Sequence, residues 1–354
     1  MAQQNYLILS CDGGGIRGLI PALLVQQLDR ELDFLNRVNL FAGTSTGGVI
    51  ALGLASKVDI SNIVDIYMTK GAEIFKRHKF FSMATAKAGR TVAQPKALTQ
   101  MYPKAAALPG NLLHVKYSAA GLKNLISKTY PATLKLSELK RKVLVTALEL
   151  YEATQRKWVP TCLTNLPGSQ TADISVLDAA LATSAAPMYF PPHVYVQDGI
   201  RRAFADGGIF ANNPSMLAAA SVIASDILKE RKLARENVKV LSIGTGFTLN
   251  GMPKRRLLRP EWYGVLAWLS PSAWPPSTPQ FPLLAALMDS VSDIDSFQCH
   301  QILGDNFRRA NVQLTPEIDL DDHDKVCELK RITDLYMAST EWREIKQWIG
   351  SKFV

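Results

Sequence analysis

Three segments near the start of the chain restrict its fold more than any other feature. Tyr6-Leu7-Ile8-Leu9-Ser10 is a short continuous apolar run, as expected of a strand buried on both faces. Leu19 to Leu35 reads as a helix. Pro21 falls in its first turn, where a missing N–H costs nothing, and Leu24, Leu28, Leu32 and Leu35 recur at helical spacing. Val38 to Ala42 is a second short apolar run. Strand, helix and strand in this order make a βαβ unit, which requires a parallel sheet and a right-handed crossover. The expected fold class is therefore α/β.

Both strands run into glycine-rich turns. The second leads into Gly43-Thr44-Ser45-Thr46-Gly47 and then a small-residue helix, Val49 to Ala55. A G-x-S-x-G between a strand and a helix is the context of a nucleophile elbow. The turn leaves almost no room beside the serine, which accounts for Gly43 and Gly47. Ser45 stands at the tip, near the positive end of a helix dipole. A plain Gly-Ser turn before an ordinary helix has the same spelling, so Ser45 is judged by the partners it finds elsewhere.

The first strand leads into Cys11-Asp12-Gly13-Gly14-Gly15-Ile16-Arg17-Gly18. Gly13, Gly15 and Gly18 satisfy the dinucleotide-binding spacing. That reading requires an acidic residue about 20 positions on, at the end of the second strand, to hold a ribose hydroxyl. Nothing acidic lies between Leu40 and Lys57, so the cofactor reading fails there. A P-loop motif is absent as well. The glycine run has another use. Ester cleavage passes through a tetrahedral oxyanion that needs N–H donors about 3 Å away. Gly13, Gly14 and Gly15 would offer unobstructed N–H groups beside the strand carrying Ser45, and Arg17 would add positive charge. A bare tight turn is the competing explanation.

A serine nucleophile also needs a base. The five histidines are His78, His114, His193, His300 and His323. Only His300 and His323 come late enough for a Ser-acid-His order, and neither follows a clear strand. Asp206 is the better candidate. It ends the apolar run Arg202-Ala203-Phe204-Ala205 and precedes Gly207-Gly208, where a sheet edge presents loop residues. A partly desolvated carboxylate within reach takes a serine proton directly. An ordinary Asp-Gly turn is the alternative.

The remaining elements are consistent with one large domain. Asp59 to Phe75 and Ala119 to Thr129 read as helices, and Lys142 to Leu148 and Val238 to Ile243 as strands; Trp158 to Leu163 extends the sheet. Ser175 with Asp178 opens a helix to about Ala185, and Asn213-Pro214 opens one to about Arg231. Residues 76–112 are basic and read as loops and short helices forming a cap. We divide the chain into a catalytic domain, 1–250, and residues 251–354 packed on it. In 257–290, Trp262, Tyr263, Trp268, Trp274 and Phe281 are interleaved with Pro260, Pro271, Pro275, Pro276, Pro279 and Pro282. This is either a lid or membrane-touching segment, or a proline-stiffened excursion packed on the domain. From Asp322 to Phe353 the spacing predicts amphipathic helices against the sheet.

Charge and cysteine usage bound the partners. The net charge is +9, which suits an anionic partner, yet the basic clusters (residues 76–79, 140–142 and 254–256) carry no nucleic-acid motif, and no DNA or RNA is expected. Cys11, Cys162, Cys299 and Cys327 form no metal or disulfide spacing, which fits a reducing compartment. No signal peptide and no apolar run of roughly 18 residues is evident. A cytoplasmic protein with peripheral membrane contact is expected.

Taken together, Asp12 to Gly18, Gly43 to Gly47 and Asp206-Gly207-Gly208 resemble the motifs of the patatin-like phospholipase family. Ser184-Ala185-Ala186-Pro187, Tyr189-Phe190-Pro191-Pro192 and Ala211-Asn212-Asn213-Pro214 match as well. The resemblance spans residues 6 to about 246, in the family's order. It implies a three-layer α/β/α fold with a central, mostly parallel sheet, here followed by a helical C-terminal extension. It also implies a Ser45–Asp206 dyad without histidine, metal or cofactor, with Gly13 to Gly15 as oxyanion hole. The implied reaction is hydrolysis of fatty-acyl esters of membrane phospholipids through an acyl-enzyme. The resemblance extends to bacterial patatins that degrade membranes in antiphage defence when a cyclic dinucleotide binds. A cyclic dinucleotide is therefore the second expected partner, hosted by 76–104 or by the C-terminal third. Housekeeping bacterial patatins would look the same. A non-catalytic lipid or nucleotide binder on this fold is disfavoured by the intact Ser45 and Asp206.

Overall fold

The computed structural model describes residues 5–77, 115–131, 133–151, 157–197, 199–249, 264, 268–269 and 282–353. The basic stretch read as a cap, His78, His114 and most of the Trp- and Pro-rich stretch lie outside the described residues. Among the described residues eight strands form one sheet: β1 (Tyr6–Cys11), β2 (Leu40–Thr44), β3 (Lys142–Glu149), β4 (Val159–Thr164), β5 (His193–Gln197), β6 (Ile200–Asp206), β7 (Val238–Ile243) and β8 (Phe307–Ala310). Their order is β5-β6-β3-β2-β1-β7-β8, with β4 also on β3. The pairs β3/β2, β2/β1, β1/β7 and β7/β8 are parallel; β4 and β6 on β3, and β5 on β6, are antiparallel.

Side chains alternate between the two faces of this sheet, and both faces are covered. On one face Leu7, Leu9, Phe41, Val143, Val145, Leu241 and Ile243 enter the larger core. That core is closed by α1 (Leu19–Leu32), α2 (Thr46–Ala55), α3 (Ile60–Ile74), α4 (Ala119–Thr129) and α5 (Val176–Thr183). On the other, Tyr6, Ile8, Leu40, Ala42, Leu144, Val238 and Val240 pack under α6 (Ser215–Ala224) and α7 (Pro282–Leu303). Burial on both faces is why the parallel strands read as continuous apolar runs rather than alternating ones. The result is the expected three-layer α/β/α architecture.

Several boundaries differ from the sequence reading. The first helix stops at Leu32, because Asp33 takes a left-handed conformation (φ 48°) and returns its N–H to the Asp29 carbonyl. The helix expected to reach Arg231 breaks after Ala224 and resumes as a single turn, Ile227–Glu230. The C-terminal part is not only helical: β8 completes the sheet as its outer strand. Of its last helices, α8 (Val326–Met337) lies largely over α1, and α9 (Thr340–Lys352) packs on α8 and on the outer strand β8. Trp342 Nε1 donates to Gln27 Oε1 at 2.8 Å, and the rings of Phe34 and Phe353 stack at 5.4 Å. Among the described residues no helix is long and apolar enough to cross a membrane.

One feature of the register fixes the functional geometry. β4 occupies one edge of β3 from Leu144 to Glu149. β2 and β6 must therefore share the other edge, β2 along its first part and β6 along its second. Thr44, the last residue of β2, pairs with Thr146, and Asp206, the last residue of β6, pairs with the next residue, Ala147. Two strands running in opposite directions thus end against each other on a common neighbour.

Candidate active site

Ser45 is the single residue between β2 and α2, held at φ 54° and ψ −122°. A positive φ is disfavoured for a residue with a Cβ and persists only where the surroundings enforce it. Here they do. A Cβ on Gly43 would lie 2.1 Å from the Gly47 carbonyl oxygen, and one on Gly47 would lie 2.1 Å from that of Cys11. The Ser45 N–H donates to Thr183 Oγ1 at 2.9 Å. Thr44 Oγ1 donates to the Ala211 carbonyl at 2.6 Å and contacts Thr146 Oγ1 at 2.7 Å, which ties the end of β2 to the segment following Asp206. The helix starting at Thr46 turns its positive end toward this point.

Asp206 is buried beside it. Its Oδ1 accepts the Gly208 N–H at 2.7 Å, and the Ser45 side chain is hydrogen-bonded to the carboxyl. Burial pushes its pKa from an ordinary 3.8 up to about 7, and the hydrogen bonds from Ser45 and Gly208 offset only part of that shift. A carboxyl in this state exchanges a proton near neutral pH, as a general base must. Gly207 sits against Thr146 and allows the chain to turn directly after the carboxylate.

The glycine run approaches from β1. Gly14 and Gly15 line the same pocket as Ser45 and Asp206, and among the described residues their N–H groups have no acceptor. Gly13 is different: its N–H donates to the Asn212 carbonyl at 3.0 Å. Arg17 also departs from expectation. It lines an adjoining cleft with Asp289, Glu317 and Asp319 and does not reach the Ser45 pocket. Within the glycine run, the free donors lining this pocket are therefore those of Gly14 and Gly15. The loop is braced by groups that the sequence reading missed. Asp12, 3% exposed at its side chain, takes two hydrogen bonds from Arg309 of β8, at 2.6 and 3.2 Å, and Arg309 also donates to Ser242 Oγ at 2.7 Å. The Ile16 N–H donates to the Leu320 carbonyl at 2.8 Å. Arg309, Leu320 and Thr183 carry no motif, and only the fold brings them here.

The pocket opens to solvent and spans about 1100 Å³, solvent at its mouth included. Beyond the polar end its walls are apolar, with Val49, Ile63, Leu122, Ile126 and Phe190 among them, and α7 contributes Leu284 and Met288. Such walls suit an aliphatic chain whose ester group reaches Ser45. Among the described residues no histidine lines it: His193 is bonded to Asp178 at 2.9 Å, and His323 packs edge-on against Phe75. No cluster of three or more metal-ligating side chains occurs among the described residues.

The chain can be set beside known proteins. Residues 9–219 match the family model described as patatin-like phospholipase. Patatin-like protein 1 of Arabidopsis thaliana is 29% identical over 315 residues, covering 81% of this chain and 68% of that protein. Patatin-like protein 2 of the same plant is 30% identical over 318 residues, covering 82% and 70%. A cGAMP-activated phospholipase of Pseudomonas aeruginosa is 28% identical over 322 residues, covering 88% and 80%.

Proposed function

The chain belongs to the patatin-like phospholipase family and is a lipid ester hydrolase, and from that premise we propose that it cleaves fatty-acyl esters of membrane phospholipids through a Ser45–Asp206 dyad. The observation that carries this reading is the serine held at a strained elbow against a buried carboxyl with a pKa of about 7. The Asp206 carboxylate takes the Ser45 proton as Oγ attacks the ester carbonyl carbon. The oxyanion receives the N–H groups of Gly14 and Gly15, aided by the α2 dipole. Collapse of the tetrahedral species breaks the ester C–O bond. The departing alkoxide takes the proton from Asp206, leaving an acyl-Ser45. Water, deprotonated by Asp206, attacks the acyl carbon; the second tetrahedral species collapses by breaking the bond to Ser45 Oγ, which takes the proton back from Asp206 as the fatty acid leaves. A fluorophosphonate probe should label Ser45, and Ser45→Ala should be unlabelled and inactive on mixed phospholipids. Labelling of a different residue would overturn the nucleophile assignment.

The P. aeruginosa relative, a cGAMP-activated phospholipase, supports gating by a cyclic dinucleotide in a second reading, in which this hydrolase is a membrane-degrading effector of antiphage defence. Its site would draw on the basic residues of a chain with net charge +9. Phospholipid hydrolysis measured with and without cGAMP should then rise on addition of the nucleotide. Equal rates in the two arms would remove this reading.

A further inference from the structure

The β6 strand does more than deliver Asp206. Its seven residues begin at Ile200, so Ile200 lies about 20 Å along the strand from the catalytic carboxylate. The direction is set by the register. β3 runs parallel to β2, and past the level of Ser45 it continues through Leu148 and Glu149, paired with Ala205 and Phe204. The Leu150 N–H then donates to the Ala203 carbonyl at 2.8 Å. The ends of β3, β4, β5 and β6 on this side therefore project beyond the sheet edge that carries Ser45.

Several of the described residues at these strand ends are large and apolar, yet exposed. Trp158 is 72% exposed, Val196 66%, and Tyr151 and Ile200 both 54%. Val194, on the same face of β5 as Val196, is exposed as well. Lys157 and Arg201 are exposed among them. Rings with one polar atom, aliphatic side chains and flanking cations form the composition of a membrane–water interface. Clusters of exposed large apolar side chains mark contact surfaces in general.

We infer that the exposed residues at the ends of these strands form the surface by which the enzyme docks on a phospholipid bilayer, with Trp158, Val196 and Ile200 entering the interface and Lys157 and Arg201 meeting lipid phosphates. The inference rests on the reading of the site as a phospholipid hydrolase, since a substrate embedded in a bilayer must reach Ser45 from that side. β5 is also the outer strand of the sheet, so a second copy of the chain is the competing occupant.

The test uses the full chain and vesicles of equal parts phosphatidylethanolamine and phosphatidylglycerol. Sedimentation with vesicles, hydrolysis of vesicle lipid, hydrolysis of the water-soluble ester p-nitrophenyl butyrate, and mass by light scattering are measured together. Ser45→Ala should sediment like the wild type. Trp158→Ala, and a Val196→Ser/Ile200→Ser variant, should each lose about tenfold in vesicle partitioning and in vesicle hydrolysis, with the soluble-ester rate unchanged. Undiminished vesicle binding by both variants would overturn the docking surface. So would a wild-type dimer that these substitutions split while vesicle binding persists. A wild type that binds vesicles in a Trp158-dependent way but cleaves neither ester would support the surface and count against the hydrolase reading.

Discussion

Asp206→Asn is expected to lower kcat/KM by about a thousandfold while making the folded protein more stable above neutral pH. The loss of activity follows from the missing base. The gain in stability follows from linkage. The folded-state pKa is about 7, raised from 3.8 by burial, so the native state holds a proton that the unfolded chain has already released between those two values. Wild-type stability therefore falls as pH rises through this window, by about 4 kcal/mol in all. Asparagine keeps an oxygen for the Gly208 N–H and never ionises. The variant should exceed the wild type in stability by up to that amount at pH 8, with the gap closing below about pH 4. The wild-type kcat/KM should rise with pH through about 7 and then level off. Urea denaturation at several pH values and a pH–rate profile check both. A variant less stable than the wild type at pH 8 would contradict this account of Asp206.

Arg309→Ala should cost about 3 kcal/mol of stability at neutral pH and reduce kcat more than it raises KM. The substitution leaves Asp12 buried and unpaired. Asp293 and Asp295 also act on Arg309, so the site loses the cation that faces several acids. The cost should shrink on acidification. Without Arg309, desolvation raises the Asp12 pKa further, and protonation below that value relieves the buried charge. The effect on kcat follows from position: Asp12 precedes Gly13 to Gly15, and loosening it misaligns the donors for the oxyanion. Arg309→Lys should recover part of the stability, and Asp12→Asn combined with Arg309→Ala should be less harmful than the single change. Thermal unfolding with steady-state kinetics reads all three. Wild-type stability in Arg309→Ala at pH 8 would show that the pair carries no such energy.

The fold class was legible because parallel strands buried on both faces leave continuous apolar runs, and a helix between two of them admits one handedness. Gly43 and Gly47 were legible for a steric reason, since a Cβ at either would collide with a backbone carbonyl. The role suggested for Arg17 was not supported by its place in the fold. A cation beside a glycine run in sequence need not share its cavity, and this one faces Asp289, Glu317 and Asp319. Gly13 shows the same limit, because its N–H is taken by Asn212 from a distant part of the chain.

The sequence by itself determined the βαβ start, the serine elbow and an Asp-Gly-Gly at the end of an apolar run. These are local consequences of sterics and periodicity. Only the tertiary structure decided that the elbow and the aspartate meet. β2 and β6 share one edge of β3 from opposite directions, so Thr44 and Asp206 stand opposite successive residues, Thr146 and Ala147. It also decided that the C-terminal third, which carried no readable motif, supplies β8, Arg309 and Leu320 to the loop beside the serine. Strand pairing and buried ion pairs join residues far apart in the chain, and such partners leave no periodicity in the sequence.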